Sequence, residues 1–337
     1  MPDKLLEVKH LKKYFKTKKG PLRAVDDVSF SIGKGETLGL VGESGCGKST
    51  CGRAIIRLND PNSGEVLFEG KNILDFHRRA DLRRMKQEMQ IVFQDPYSSL
   101  NPRLNTQDLI ADPLVINKIG SNKEEIRQKV LEAMDMVGLE KRLLDAYPHE
   151  LDGGRRQRIG IARALVLNPK FIVMDEPVSA LDVSIQAQIL NLLSELQDDL
   201  GLTYLFIAHN LSVVKHISDR IAVMYLGKIV EVANYRDIFI DPLHPYSQAL
   251  LSAIPIPKRH IKRERIILEG DVPSPVTPPD GCRFCGRCRM AMPICSETSP
   301  ELKDMGNGHK VACHLYDDKP VPAEAKAGKD SVDAELD

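Results

Sequence analysis

The chain has 337 residues, more than one hydrophobic core usually organises, so a large domain with a smaller appendage is expected. Apolar residues make up 42% and charged residues 28%, which excludes a disordered scaffold; 47 basic side chains balance 47 acidic ones, which excludes a global field drawing the chain to nucleic acid or anionic lipid. No run approaches the ~18 uninterrupted apolar residues of a membrane span, and Met1-Pro2-Asp3-Lys4 has no apolar signal core, so the chain is expected to be soluble and cytoplasmic.

Leu6 and Val8 alternate with Glu7 and Lys9, and Ala24 to Ile32 mixes apolar and polar residues with β-branched content, predicting short antiparallel strands. Thr37-Leu38-Gly39-Leu40-Val41 is a compact apolar run leading into a glycine-rich loop; Ser49 to Leu58 then has helical spacing and stops at Asn59-Asp60-Pro61. Between Lys123 and Val137 the apolar positions Ile126, Val130, Ala133, Met134 and Val137 recur at helical intervals, predicting an amphipathic helix inside a helical insertion over about 95–165. Phe171-Ile172-Val173-Met174 and Tyr204-Leu205-Phe206-Ile207-Ala208 are unbroken apolar runs, as in parallel strands covered on both faces.

Beyond about Asp241, prolines from Pro242 to Pro279 break up any long helix, placing a boundary near 235 and a second region over 236–318. Cys282, Cys285, Cys288, Cys295 and Cys313 crowd that region, while Cys46 and Cys51 sit at the glycine loop. Residues 319–337 alternate charge with Ala, Pro and Gly and read as a mobile tail. The basic stretch Lys258-Arg259-His260-Ile261-Lys262-Arg263 reads as a solvated loop and not a nucleic-acid patch.

Gly42-Glu43-Ser44-Gly45-Cys46-Gly47-Lys48-Ser49-Thr50 fills the pattern G-x-x-x-x-G-K-[ST]. Positions without side chains let consecutive backbone N–H groups curl around phosphate oxygens, and the following helix adds the positive end of its dipole. Lys48 is expected on the β and γ phosphates and the Ser49 hydroxyl on Mg²⁺. The run Phe171 to Met174 ends in Asp175-Glu176, delivering one carboxylate to hold Mg²⁺ through water and a second to act as general base on the attacking water.

With Gln94 after Ile91-Val92-Phe93, Leu151-Asp152-Gly153-Gly154-Arg155, Ser179-Ala180-Leu181-Asp182 and His209, the sequence resembles the ATP-binding cassette (ABC) superfamily over residues 5–235. The resemblance implies an α/β P-loop domain with a RecA-like core, an antiparallel β subdomain and a helical subdomain, here followed by a small Cys-rich C-terminal domain. It also implies that Gln94 senses the γ-phosphate and Mg²⁺, that His209 is the switch histidine, and that Asp182 lies at a dimer interface. Tyr14, 28 residues before Gly42, is placed where the family stacks an aromatic on adenine, with Phe15 as its rival.

One segment departs from the family, whose signature reads Leu-Ser-Gly-Gly-Gln. Here Asp152 stands at the serine and Arg155 at the glutamine, on either side of Gly153 and Gly154, which by the resemblance would face the nucleotide of the opposite subunit. A carboxylate only accepts hydrogen bonds, and like charges ~4 Å apart repel by about 4 kcal/mol at an effective dielectric of about 20 before compensation. The implied arrangement is a heterodimer with one weakened site.

Phe93-Gln94-Asp95-Pro96-Tyr97-Ser98-Ser99-Leu100-Asn101-Pro102-Arg103 and Asp241-Pro242-Leu243-His244-Pro245-Tyr246 resemble the oligopeptide and dipeptide importer ATPases. That implies uptake of short peptides, or of nickel or a related solute. It also implies two transmembrane permease subunits, a second ABC ATPase, an external solute-binding protein and a place on the cytoplasmic face of the membrane. A soluble ABC ATPase working without membrane partners is the alternative, although such proteins commonly carry two cassettes or a long coiled coil. By the same resemblance Cys282, Cys288, Cys295 and Cys313, with Cys285 as an alternative ligand, hold a four-iron four-sulfur cluster or else Zn²⁺, both of which favour thiolate donors.

Overall fold

The computed structural model describes residues 3–254 and 265–318. The basic stretch 258–263 and the tail 319–337 lie outside the described residues.

Strands β1 (Lys4–Thr17) and β2 (Gly20–Gly33) form an antiparallel hairpin in which Leu6 faces Ile32 and Val8 faces Phe30. The alternation seen in the sequence buries Leu6, Val8, Val28 and Ile32 on one face. β3 (Thr37–Val41) is buried throughout and leads through the glycine loop into α1 (Lys48–Ile55), whose apolar spacing runs out before Leu58, an exposed residue. β4 (Ser63–Phe68) and β5 (Lys71–Asn72) complete a four-stranded antiparallel sheet of order β2-β1-β4-β5.

After α2 (Arg79–Glu88) and β6 (Met89–Val92) the chain enters four helices: α3 (Pro96–Ser99), α4 (Thr106–Asn117), α5 (Lys123–Met136) and α6 (Gly153–Leu165). Asn105, Asn122 and Asp152 cap α4, α5 and α6 with side-chain acceptors. Val130, Ala133, Met134 and Val137 of the predicted amphipathic stripe are buried.

β7 (Phe171–Asp175), α7 (Val183–Leu200), β8 (Thr203–Ala208), α8 (Leu211–Ile217), β9 (Arg220–Tyr225) and β10 (Lys228–Asn234) finish the central layer. β6, β7, β8, β3 and β9 run parallel in that order, and β10 joins antiparallel to β9. This order matters for function. Four adjacent parallel strands, β3, β8, β7 and β6, end on one edge, and the residues just past them are the glycine loop, His209, Glu176 and Gln94.

The region beyond Asn234 differs from the expected separate domain. It holds α9 (Tyr235–Ile240), α10 (Pro245–Ser252), α11 (Pro293–Glu297), β11 (Lys303–Asp304) and β12 (Lys310–Val311). β12 pairs with β10, Val311 facing Glu231, so this region lengthens the central sheet. Tyr246 and Phe284 are buried in the same core as the parallel strands, stacked edgewise with Tyr225 at centroid separations of 4.7 Å and 5.2 Å. The physical reason is the proline content: segments this short cannot close a core of their own and borrow that of the sheet.

Candidate active site

The glycine loop encloses its own lysine. Lys48 is buried, and its Nζ donates to the carbonyls of Gly42 at 2.8 Å and Glu43 at 3.0 Å. Gly42 and Gly47 sit at φ 154° and 108°, and a Cβ would meet Met224 O at 2.1 Å and Ala24 O at 2.0 Å respectively. Glycine is required at both for steric and conformational reasons. Ser44 and Gly45 are exposed, while Ser49 and Thr50 are partly exposed in the first turn of α1.

Asp175, buried at the end of β7, accepts from Arg53 Nη2 at 3.1 Å through Oδ2, while its Oδ1 is buried without a protein partner. A buried carboxylate with one unsatisfied oxygen is suited to a hydrated cation. The next residue, Glu176, has φ 50°, an uncommon conformation for a side-chain-bearing residue, held by its N–H donating to Ile207 O at 3.0 Å. That turn directs its carboxylate between two neighbours. Gln94 Nε2 donates to Glu176 Oε2 at 2.9 Å, and His209 Nδ1 lies 3.1 Å from the same oxygen. Glu176 also lines a cavity of about 50 Å³, together with Ser179, Gln186 and His209 and an apolar wall that includes Val178, Phe206 and Val213. The arrangement is a carboxylate base held by two polar side chains, with room for water alongside.

Comparison with known proteins decides the family. Residues 25–179 match the ABC transporter family, and residues 230–295 match the oligopeptide/dipeptide transporter C-terminal region. The oligopeptide transport ATP-binding protein AppF of Bacillus subtilis is 52% identical over 323 residues, covering 93% of this chain and 98% of the relative. The chain is an ABC ATPase of the oligopeptide/dipeptide importer family. The oligopeptide transport ATP-binding protein OppF of the same organism is 58% identical over 266 residues, 79% of this chain and 87% of that one. Among solved structures, a dimeric ATP-binding cassette in a post-hydrolysis state with ADP and Pi superposes with a TM-score of 0.63 at 31% identity, covering 68% of this chain and 99% of the other. The cassette cbiO1 from Clostridium perfringens, part of the ABC transporter complex cbiONQ, gives 0.63 at 29% identity, covering 71% and 92%.

In this ABC ATPase the signature residues stand at the start of α6. Asp152 accepts from Arg155 N at 2.8 Å as its helix cap and from Arg155 Nη1 at 2.5 Å, so its charge is shared with Arg155. The bare like-charge repulsion expected from the sequence is correspondingly reduced. A Cβ on Gly154 would lie 2.8 Å from Ile185 Cγ2, so that glycine also admits the close approach of α7. Asp182 caps α7 without a side-chain bond, and the adjacent Val183 is 82% exposed. Among the described residues no hydrogen bond or ion pair joins Asp152, Gly153 or Gly154 to the glycine loop of the same chain.

Tyr14 is not free. Its hydroxyl donates to Asp26, which also pairs with Arg283, and burial first and the Asp26 bond second push the phenol up to about 12. Phe15, the rival ring, is 38% exposed, with Lys13 Nζ 5.1 Å from its centroid.

The cysteines gather without forming a coordination group. Burial pushes Cys282 and Cys313 up to about 11, with further raising by nearby thiols including Cys288 and Cys295. Yet among the described residues no group of three or more His, Cys, Asp or Glu side chains is placed to hold a metal ion. The expected cluster at Cys282, Cys288, Cys295 and Cys313, or with Cys285, is therefore not a formed site in this structure. The donor chemistry fits a thiophilic metal; the present spacing of the thiols does not.

Three residues of the site were not singled out from sequence. Arg53 lies one helical turn beyond Ser49, a spacing that could have pointed to it. Tyr246 and Arg287 reach the loop from more than 200 positions away, at separations of 203 and 244; Tyr246 lies in the Asp241–Tyr246 motif, but that motif does not reveal its contact with the loop. No helix among the described residues is long and apolar enough to cross a membrane.

Proposed function

We propose that this chain is one of two unequal ATPases powering uptake of di- or oligopeptides through a pair of transmembrane permease subunits, fed by an external binding protein, at the cytoplasmic membrane face. The supporting observation is that similarity to oligopeptide transport ATP-binding proteins runs through the C-terminal region as well as the cassette. Co-expression with such subunits tests it: a stable complex holding one copy of this chain and one second ATPase is expected, and a complex with two copies of this chain would refute the unequal pair.

The backbone of Gly42 to Thr50 takes the phosphates of ATP, with Lys48 on the β and γ groups. Ser49 and Gln94 would hold Mg²⁺, with Asp175 acting through water, and the ion would supply charge neutralisation on the phosphates. Glu176 takes a proton from water as the water oxygen bonds to the γ phosphorus and the bond to the bridging oxygen breaks, releasing ADP and phosphate. His209 and Gln94 fix the direction of that carboxylate. Opposite, in the second ATPase's site, Asp152 replaces a hydroxyl donor with an acceptor; Arg155 offsets its charge but not the missing hydrogen bond.

Phe15 is the better adenine platform, since the Tyr14 hydroxyl is committed to Asp26. Phe15→Ala should weaken ATP binding about tenfold, the ~1.4 kcal/mol typical of an aromatic stack, with Tyr14→Phe near wild type in an equilibrium titration. The reverse ranking returns the role to Tyr14.

Cys282, Cys288, Cys295 and Cys313 would hold a four-iron four-sulfur cluster, with Zn²⁺ as the alternative. The compact run Cys282-x-x-Cys285-x-x-Cys288 is the sequence feature that favours the cluster over zinc. Elemental analysis of anaerobically purified protein should find iron with inorganic sulfide; zinc alone, or no metal, contradicts it.

A further inference from the structure

The phosphate loop is gripped from behind by the cysteine-bearing segment. Arg287, in the single turn Cys285–Arg287, donates from Nη1 to Glu43 Oε2 at 2.8 Å and from Nη2 to Glu43 Oε1 at 3.2 Å. This is a two-pronged pair, the geometry in which a guanidinium fixes both the place and the plane of a carboxylate. The Arg287 side chain is only 10% exposed, so the pair is shielded from water on the arginine side. The Tyr246 hydroxyl, fully buried, accepts the Glu43 N–H at 2.8 Å. Glu43 is thus held through both its side chain and its backbone.

Glu43 directly follows Gly42, at the entrance of a loop whose backbone must receive an anion. A carboxylate released there would compete with phosphate for the same N–H groups and repel it. Arg283, four residues before Arg287, donates to Leu226 O, and the neighbouring Gly227 N–H donates to Cys46 O at 2.8 Å, so the same segment also supports the loop's other side.

We propose that Arg287 is a positioning residue for ATP binding, keeping the Glu43 carboxylate out of the phosphate site and so coupling the cysteine-bearing segment to the loop. It rests on the reading of Gly42 to Thr50 as the ATP site. Arg287 touches no substrate; it acts through Glu43.

Equilibrium ATP titration of the full-length chain with Mg²⁺ tests this, read beside thermal unfolding. Arg287→Ala should bind ATP about tenfold more weakly and Arg287→Lys, which keeps the charge but loses the fork, should fall between. Glu43→Gln should weaken binding by about threefold or less, and Glu43→Gln/Arg287→Ala should recover most of the loss, because no carboxylate is left to restrain. A role confined to folding of the cysteine segment would lower the unfolding temperature and would not be rescued at Glu43. Arg287→Ala binding within about twofold of wild type, or a double variant as weak as Arg287→Ala, overturns the proposal. If Arg287→Ala does not fold, Arg287→Lys with and without Glu43→Gln decides by the same comparison. Absence of ATP binding by the wild-type chain would instead refute the ATP-site reading itself.

Discussion

Glu176→Gln should leave ATP binding intact and lower hydrolysis by about 10²- to 10⁴-fold, the range lost with a general base. Glutamine is close in shape and keeps an oxygen where Oε2 now receives Gln94 and lies beside His209, so the three-residue arrangement is retained. What disappears is the basicity of the carboxylate, whose residue lines the small cavity. Rapid-quench measurement of phosphate release on ATP-loaded complex separates this step from binding. A loss below tenfold would move the base elsewhere, with His209 the next group in reach. The positive φ of Glu176 sharpens the expectation. A backbone held in an unfavourable region to aim one side chain is the kind of strain that persists where geometry matters.

Lys48→Ala should weaken ATP binding by about a hundredfold, corresponding to the ~3 kcal/mol of a charge-assisted hydrogen bond. The lysine is already buried and folded against the carbonyls of Gly42 and Glu43, so little side-chain entropy remains to be lost when phosphate arrives. In the unequal pair the effect has a second signature. Lys48 serves the site completed by the other ATPase's signature, so Lys48→Ala should abolish most turnover, whereas the corresponding lysine change in the second ATPase should remove only the slow site. Asp152→Ser should raise turnover at that slow site. Equal losses from the two lysine changes, with no gain from Asp152→Ser, would mean that the Asp152–Arg155 pair leaves both sites equivalent.

The parallel core was legible because both-face burial writes unbroken apolar runs such as Tyr204 to Ala208, and because phosphate binding imposes glycines at fixed spacing. The amphipathic stripe of α5 was legible for the same kind of reason. Three features were hidden for physical causes. Burial of Tyr246 and Phe284 in the main core depends on strand pairing between β10 and β12, a contact between distant segments that leaves no period in the sequence. The hydrogen bond from the Tyr14 hydroxyl to Asp26, which distinguishes that ring from the adjacent Phe15, leaves no mark in composition. The Asp152 carboxylate and a compensating Arg155 were legible in the sequence, but their hydrogen-bonded geometry at the cap of α6 was not.

In the proposed transporter, ATP hydrolysis at Glu176 drives peptide uptake. The most direct test is accumulation of a labelled oligopeptide by proteoliposomes holding the assembled transporter and external binding protein, with ATP and Mg²⁺ on the side of this chain. Uptake should occur with the wild-type chain and fall to background with Glu176→Gln, although that complex still binds ATP. Undiminished uptake by the Glu176→Gln complex, or no ATP-dependent uptake by the wild type, would contradict the account.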